Sequence, residues 1–419
     1  MLDMIVRGGS LQDGRTGVDI GCKDGVIVAM EPSLEAQAVQ EIDAAGRLVV
    51  PPFVDCHLHL DAVLTHGNPR INESGELYEG IALWADLKAT LTPEDYRRSA
   101  LDYCHWAIAQ GTLAIRAHVD ICDHRLAQVE ALIEVREQMR PYLDLQLVAF
   151  PQDGYYRYDG AVDLMRTALD MGLDVVGGIP DFELTAQLGN DSVRELCELA
   201  VERGLLVDMH TDQTLDPQSR QVEHVTYQTR RLKLGARASA SHCTSLTTFH
   251  DNYAMKLIPQ MADAGLNVIV SPMTSATCLK VMTRVAALWD AGVNIGFGQD
   301  CVMDPWYAFG MEDMLDVAHM AIHFGRLLSE QRKAQVFDGI TYGGARALSL
   351  EGYGLAPGCN ADMVVLQASS PMEAVRLKAT RLHVLRRGRE IARSEPRASM
   401  VTLGNTTRSI DFSAESVRH

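Results

Sequence analysis

The chain has 419 residues, 47% hydrophobic and 22% charged, the make-up of an ordinary soluble globular protein with room for one large enzyme fold and a small accessory domain. Fifty-five acidic against 38 basic residues leave a net charge of −17, which argues against nucleic acid and anionic membrane as partners and weakly favours a neutral or cationic small substrate. No apolar run is long enough for a transmembrane helix, no basic-then-apolar leader opens the sequence, and nine scattered cysteines without a CxxC pair read as reduced thiols of a cytoplasmic protein.

Residues 1–50 read as short strands between turns, at 4–9, 18–21 and 25–30. The apolar run from Val49 then leads into Asp55-Cys56-His57-Leu58-His59-Leu60-Asp61 as one buried strand. Residues i and i+2 of a strand share a face, so His57 and His59 project side by side. A helix starts at Thr92, with Pro93 in its first turn, Asp95 three residues after the cap and Gly111 after its end. Further strands are expected at 113–120, 145–152, 175–179, 205–210, 238–242, 266–271 and 293–300, with helical patterns between them. With the opening strand they number eight, and repeated βα units of this length predict a parallel barrel over 51–345. Residues 346–419 return to strand-like patterns at 361–366 and 382–389, pairing in style with 1–50 as a second domain; the last dozen residues, ending Glu415-Ser416-Val417-Arg418-His419, are polar and expected to fray.

Polar residues fall where these strands end: His57 and His59 on the first, Gln152 on the third, His210 on the fifth, His242 on the sixth and Asp300 on the eighth. The C-terminal strand ends of a βα barrel meet at one mouth, so residues far apart in sequence become neighbours there. Three imidazoles and a carboxylate can hold one divalent cation and leave a position for water, whose pKa the cation lowers. Asp300 can then serve both as ligand and as acceptor of the water's proton. His242 is a further ligand or, preferably, steadies the hydroxide or the charge developing on substrate. No lysine lies in 173–183, which disfavours a carbamylated lysine bridging two metals. His118 alternates with Arg116 and Asp120 on one face, as a structural cluster or a catalytic group. His66 and His124 read as loop residues, His105, His319 and His323 as helical bystanders, and Trp306 as a pocket wall or plain packing. Cys56 and Cys301 each adjoin a candidate ligand.

These residues resemble the amidohydrolase superfamily, and within it the bacterial cytosine deaminases. The resemblance runs over nearly the whole chain: Pro51-Pro52-Phe53-Val54 leading to His57-Leu58-His59-Leu60-Asp61, then Val148-Ala149-Phe150-Pro151-Gln152, Asp174 to Pro180, Ala240-Ser241-His242 and Asp304-Pro305-Trp306-Tyr307. It implies a distorted (β/α)8 TIM barrel with a small β-sandwich built from both chain termini. It implies one Zn2+ or Fe2+ on His57, His59, His210 and Asp300, with His242 beside the hydrolytic water, Gln152 hydrogen-bonding the heterocycle and Trp306 in the pocket. Homo-oligomers are common in the family.

Two positions depart from that pattern. The family's deaminases carry His-x-x-Glu after strand five, the Glu shuttling protons; here the segment is His210-Thr211-Asp212-Gln213. Gln213 can neither give up nor take a proton at ordinary pH, and general acid–base help is typically worth about 10²–10⁴-fold. Three explanations stand: an engineered Glu→Gln change, a reaction whose leaving group needs less protonation, or replacement by Asp212. Cys301 stands where cytosine deaminase has an aspartate that reads the pyrimidine, and implies altered recognition with more room. The expected function is deamination of a small nitrogen heterocycle (an aminated pyrimidine, pterin, triazine or creatinine-like ring) with release of ammonia. Cleavage of a cyclic amide or an N-alkyl group, and a catalytically silent metal- or ligand-binding protein, are the alternatives.

Overall fold

Pro51 and Pro52 cut the apolar run before His57 into two strands, since neither has an N–H to give a ladder. In the computed structural model, which describes residues 1–410, 412 and 413, Leu48–Val50 joins a sheet made by the chain termini and Phe53–Leu58 opens a barrel. The single strand expected there is therefore two, and His59 lies just past the end of the second. Of the dozen C-terminal residues expected to fray, 408–410 belong to the strand Thr406–Ile410, paired antiparallel with Ser399–Leu403, while 411 and 414–419 lie outside the described residues.

The barrel strands are β1 (Phe53–Leu58), β2 (Thr112–Asp120), β3 (Asp144–Phe150), β4 (Val175–Gly178), β5 (Leu206–Thr211), β6 (Ala238–His242), β7 (Asn267–Val270) and β8 (Ile295–Phe297). All neighbours pair in parallel in this order. A lone parallel bridge between Leu58 and Asp300 brings the last strand's exit back to the first. Strands buried on both faces explain why their sequences are apolar runs rather than alternating patterns. Each is covered by helices whose apolar sides join one continuous core.

Two strands end two or more residues sooner than the sequence suggested. Pro151 lacks a donor, so β3 stops at Phe150 and Gln152 stands two residues beyond it. β8 stops at Phe297, and Asp300 follows on a loop with φ of 69°. The helix read from Thr92 is present as Pro93–Ala109, closed by a reciprocal Thr92–Asp95 capping box, with Gly111 at φ 74° behind it.

The termini build the second domain. Its strands run in the order Arg389–Arg393, Arg381–Arg386, Met363–Leu366, Leu48–Val50, Leu2–Leu11, Val18–Lys23 and Val26–Pro32, with Ala38–Asp43 also on Leu2–Leu11. Met4, Val6, Ile20, Val49, Met363 and Leu385 meet in its own small core. No helix of the described residues is long and apolar enough to cross a membrane.

Candidate metal centre

The two-residue repeat of β1 sends His57 into the barrel mouth and Cys56 the other way, where its sulfur packs on Gly296 and Gly344. Gly298 lets the exit of β8 lie against β1. A Cβ there would stand 2.7 Å from the backbone N and O of His57. Through this contact Asp300 N donates to His57 O at 2.7 Å and His59 N donates to Asp300 O at 2.9 Å. Asp55 locks the same seam, its Oδ1 accepting from the amides of His57 at 3.0 Å and Gln299 at 3.1 Å.

Four donor atoms converge above this seam. His210 Nε2 is 3.2 Å from His57 Nε2 and 3.1 Å from His59 Nε2, while Asp300 Oδ1 is 3.4 Å from the first and 3.5 Å from the second. Atoms that each lie about 2.0–2.2 Å from one shared ion stand roughly 2.8–3.6 Å apart, so these donors are spaced as ligands of a single ion would be. They fit a single divalent cation and form one of the ligand groups that the described residues assemble; the other, His57, His118 and Asp208, shares His57 with it.

Hydrogen bonds assign His57 its tautomer. Ser241 Oγ donates to Asp208 Oδ1 at 2.7 Å, so the 2.9 Å contact from His57 Nδ1 to the same oxygen is a donation by the ring. Nε2 is left bare to face the site. Arg116 holds Asp208 from below, Nη1 donating at 2.9 Å, and also donates to Ser239 Oγ, Gln146 Oε1 and the Ala347 carbonyl. Burial pushes His57 and His59 down to about 4 and His242 to about 3, and His210 well below its usual range. Each ring is therefore neutral, as a ligand must be. Asp300 Oδ2 accepts from the Thr274 hydroxyl, which fixes the carboxylate's second oxygen.

His242 stands one step out. Its Nδ1 is 4.0 Å from Asp300 Oδ2, its Nε2 has no hydrogen-bond partner, and its backbone is left-handed at φ 72°. His118 neither ligates in the four-donor group nor bonds to its sequence neighbours. It packs by its ring, 4.0 Å from His57 and 4.6 Å from His210 between centroids. The cluster expected of Arg116, His118 and Asp120 is thus divided: Arg116 goes to Asp208, and Asp120 accepts from Lys88 Nζ at 2.7 Å and Trp84 Nε1 at 2.9 Å. His66 points at the Asp304 carbonyl and His124 packs at a tilt against the Tyr158 ring; His105 lies on Pro93–Ala109, and His319 and His323 on Met314–Phe324.

A cleft opens over His59, His210 and Asp300, and Gln152, Gln213, Cys301 and Trp306 all line it, with Asp181 and Ile179 from the exit of β4. Asp212 is not available to it. Its carboxylate accepts from Ser219 Oγ at 2.7 Å, Gln221 N at 3.0 Å and Val222 N at 2.8 Å, closing the start of helix Gln221–Arg231. That removes Asp212 as a replacement for an acid at 213. Cys301 is buried, its thiol 3.8 Å from Asp300 Oδ1 and pushed well up by burial and by Asp304 and Asp300.

Trp306 lies over helix Leu77–Lys88, its Nε1 donating to Leu77 O at 3.2 Å, because residue 80 is glycine. A Cβ on Gly80 would meet the indole at 2.2 Å. Gly80→Ala is expected to push the indole into the cleft and raise KM about tenfold, since overpacking costs about 1–3 kcal/mol. Steady-state kinetics checks this, and an unchanged KM would remove Trp306 from the substrate wall.

Ser241, Asp208, Thr274, Asp181 and Gly80 were not singled out from sequence. Asp208 and Ser239–Ser241 carried a usable signal: polar residues at alternate positions in otherwise apolar barrel strands point inward. Thr274 carried none, since a short helix after β7 delivers it.

Residues 40–401 match the amidohydrolase family model. N-isopropylammelide isopropyl amidohydrolase of Pseudomonas sp. (strain ADP) is 30% identical over 94% of this chain and 98% of its own length. Pterin deaminase of Rhizobium rhizogenes is 28% identical over 93% and 91%. Among solved structures, 5-methylcytosine deaminase from Klebsiella pneumoniae, liganded with phosphonocytosine, superposes with a TM-score of 0.91 at 38% identity, over 94% of this chain and 99% of that one.

Proposed function

Since the chain belongs to the amidohydrolase family, we propose that it is a metal-dependent hydrolase that deaminates a small nitrogen heterocycle and releases ammonia. The observation that carries this reading is the meeting of His57, His59, His210 and Asp300 at the floor of a cleft walled by Gln152 and Trp306. Three imidazole nitrogens and one carboxylate oxygen suit Zn2+ or Fe2+. When bound, such an ion makes hydroxide available from water near neutral pH.

The chain's own residues supply the rest. Asp300 takes a proton from the water, with Thr274 steadying its second oxygen. His242, its Nε2 unpartnered, donates to the oxygen that gathers charge as the ring carbon becomes tetrahedral. Gln152 offers an amide with both donor and acceptor to the ring edge. Trp306 covers a ring face. Cys301 replaces a charged reader by a small neutral thiol, which favours a ring with a substituent. Together with the likeness to 5-methylcytosine deaminase, this makes a 5-substituted aminopyrimidine the preferred substrate. Nine unpaired thiols support a reducing, cytoplasmic setting.

The relative named for N-isopropylammelide favours a second reading, in which an alkylamine leaves instead of ammonia. Incubating the protein with cytosine, 5-methylcytosine, pterins, and amino- and alkylaminotriazines, with ammonia and amine release followed, separates the two. Ammonia from 5-methylcytosine faster than from cytosine is expected, with about one divalent ion bound per active chain. Turnover by protein free of divalent metal would sink both readings.

A further inference from the structure

We propose that the Asp181 carboxyl, at the exit of β4, is the proton carrier that serves the ring nitrogen, a task Gln213 at the exit of β5 has no proton to perform. The inference rests on the deaminase reading above and adds to it the group that reading lacks.

The chemistry has work for such a group. Water adds its oxygen to the ring carbon, one of its protons ends on the ring nitrogen, and the other ends on the amino nitrogen, whose bond to carbon breaks. Amide anion is far too basic to leave unprotonated. Asp300 can move one proton, and a second carboxyl at the ring edge would spare it from carrying both. Outside the four candidate ligands, Asp181 is the only carboxyl among the described residues lining the cleft. Gln152 and Gln213 are amides. The thiols of Cys278 and Cys301 are both pushed up, to about 11 for the first, and hold their protons too tightly to exchange them readily.

Position supports the assignment. β4 and β5 are adjacent parallel strands, so the turn Pro180–Phe182 lies next to the turn that carries Gln213. The backbone amides of Asp212 and Gln213 face the Asp181 carboxyl, while its Oδ1 is buried with no hydrogen-bond partner. Burial and the Asp212 carboxylate, itself fixed by three donors, raise Asp181 to about 7. A carboxyl in that range can give and recover a proton at neutral pH.

The proton ledger then closes. As the C–O bond forms, Asp300 takes one water proton and Asp181 gives its own to the ring nitrogen. As the C–N bond breaks, Asp300 protonates the leaving amino group and the new hydroxyl returns its proton to Asp181. Substrate and water become the oxo ring and ammonia, and both carboxyls regain their starting states.

Asp181→Asn tests the role, alone and combined with Gln213→Glu, in metal-loaded enzyme whose ion content and melting temperature are checked. The single variant is expected to lose about 10²-fold in kcat with KM changed less than threefold. Adding Gln213→Glu, which returns a carboxyl to the neighbouring turn, is expected to recover at least tenfold, something a merely structural role would not produce. Phosphonocytosine, titrated by calorimetry, gives a reading without turnover: Asp181→Asn should bind it at least tenfold more weakly. Wild-type turnover with an undiminished Asp181→Asn rate, or equal phosphonocytosine affinity in the two proteins, overturns this inference alone. Wild-type protein that neither binds phosphonocytosine nor releases ammonia or amine from any ring overturns the functional reading and this inference with it.

Discussion

Asp300→Asn is expected to lower kcat/KM by at least about 10³-fold and to leave the purified protein short of its divalent ion. Two losses combine. A carboxylate that faces two bare imidazole nitrogens at 3.4 and 3.5 Å becomes an amide, a poor ligand that cannot accept the water's proton. General-base assistance alone is worth about 10²–10⁴-fold. The change is nearly isosteric, and the backbone bonds that hold residue 300 to His57 and His59 do not involve its side chain, so the fold is expected to survive. Metal analysis and single-substrate kinetics check both halves. A variant keeping a tenth of the wild-type kcat/KM with a full complement of ion would mean that Asp300 is neither ligand nor base.

Arg116→Met is expected to cost about 3–5 kcal/mol of stability, the range for removing one partner of a buried ion pair. Arg116 and Asp208 are both buried inside the barrel, paired at 2.9 Å. Without the guanidinium, Asp208 keeps one hydroxyl donor, Ser241, against a full charge. The damage also reaches the metal centre, because that hydroxyl receives the proton of His57 Nδ1. Loss of such supporting bonds typically weakens metal binding 10–100-fold. Denaturant unfolding and a competitive chelator titration measure the two effects. A stability change under 1 kcal/mol would mean that the pair is replaceable by apolar packing.

The metal half of the site was legible because barrel topology maps strand ends to one place, and His57, His59, His210 and Asp300 each follow an apolar run. The same periodicity failed at Val49 to Phe53, where hydrophobicity continues across two prolines that end one sheet and start another. The supports were harder to see. Asp208 and Ser241 sit two and one residues before His210 and His242, but which inward polar residues pair depends on registers between strands that sequence patterns do not fix. Asp212 looked like a neighbour able to replace an acid at 213, and its left-handed backbone, φ 52°, instead turns the side chain back onto the next helix. Asp181 was hidden because it stands three residues past the end of its strand and its carboxyl becomes relevant only beside Gln213.

The seam between the first and last barrel strands holds by a lone bridge at Leu58 and Asp300, and candidate ligands flank that bridge on both sides. A cation seated there is therefore a clasp as well as a reagent. It ties the beginning of the barrel to its end, and its affinity adds to the cohesion of the folded chain by mass action. Metal supply would then set not only how fast the enzyme works but how long each copy resists opening.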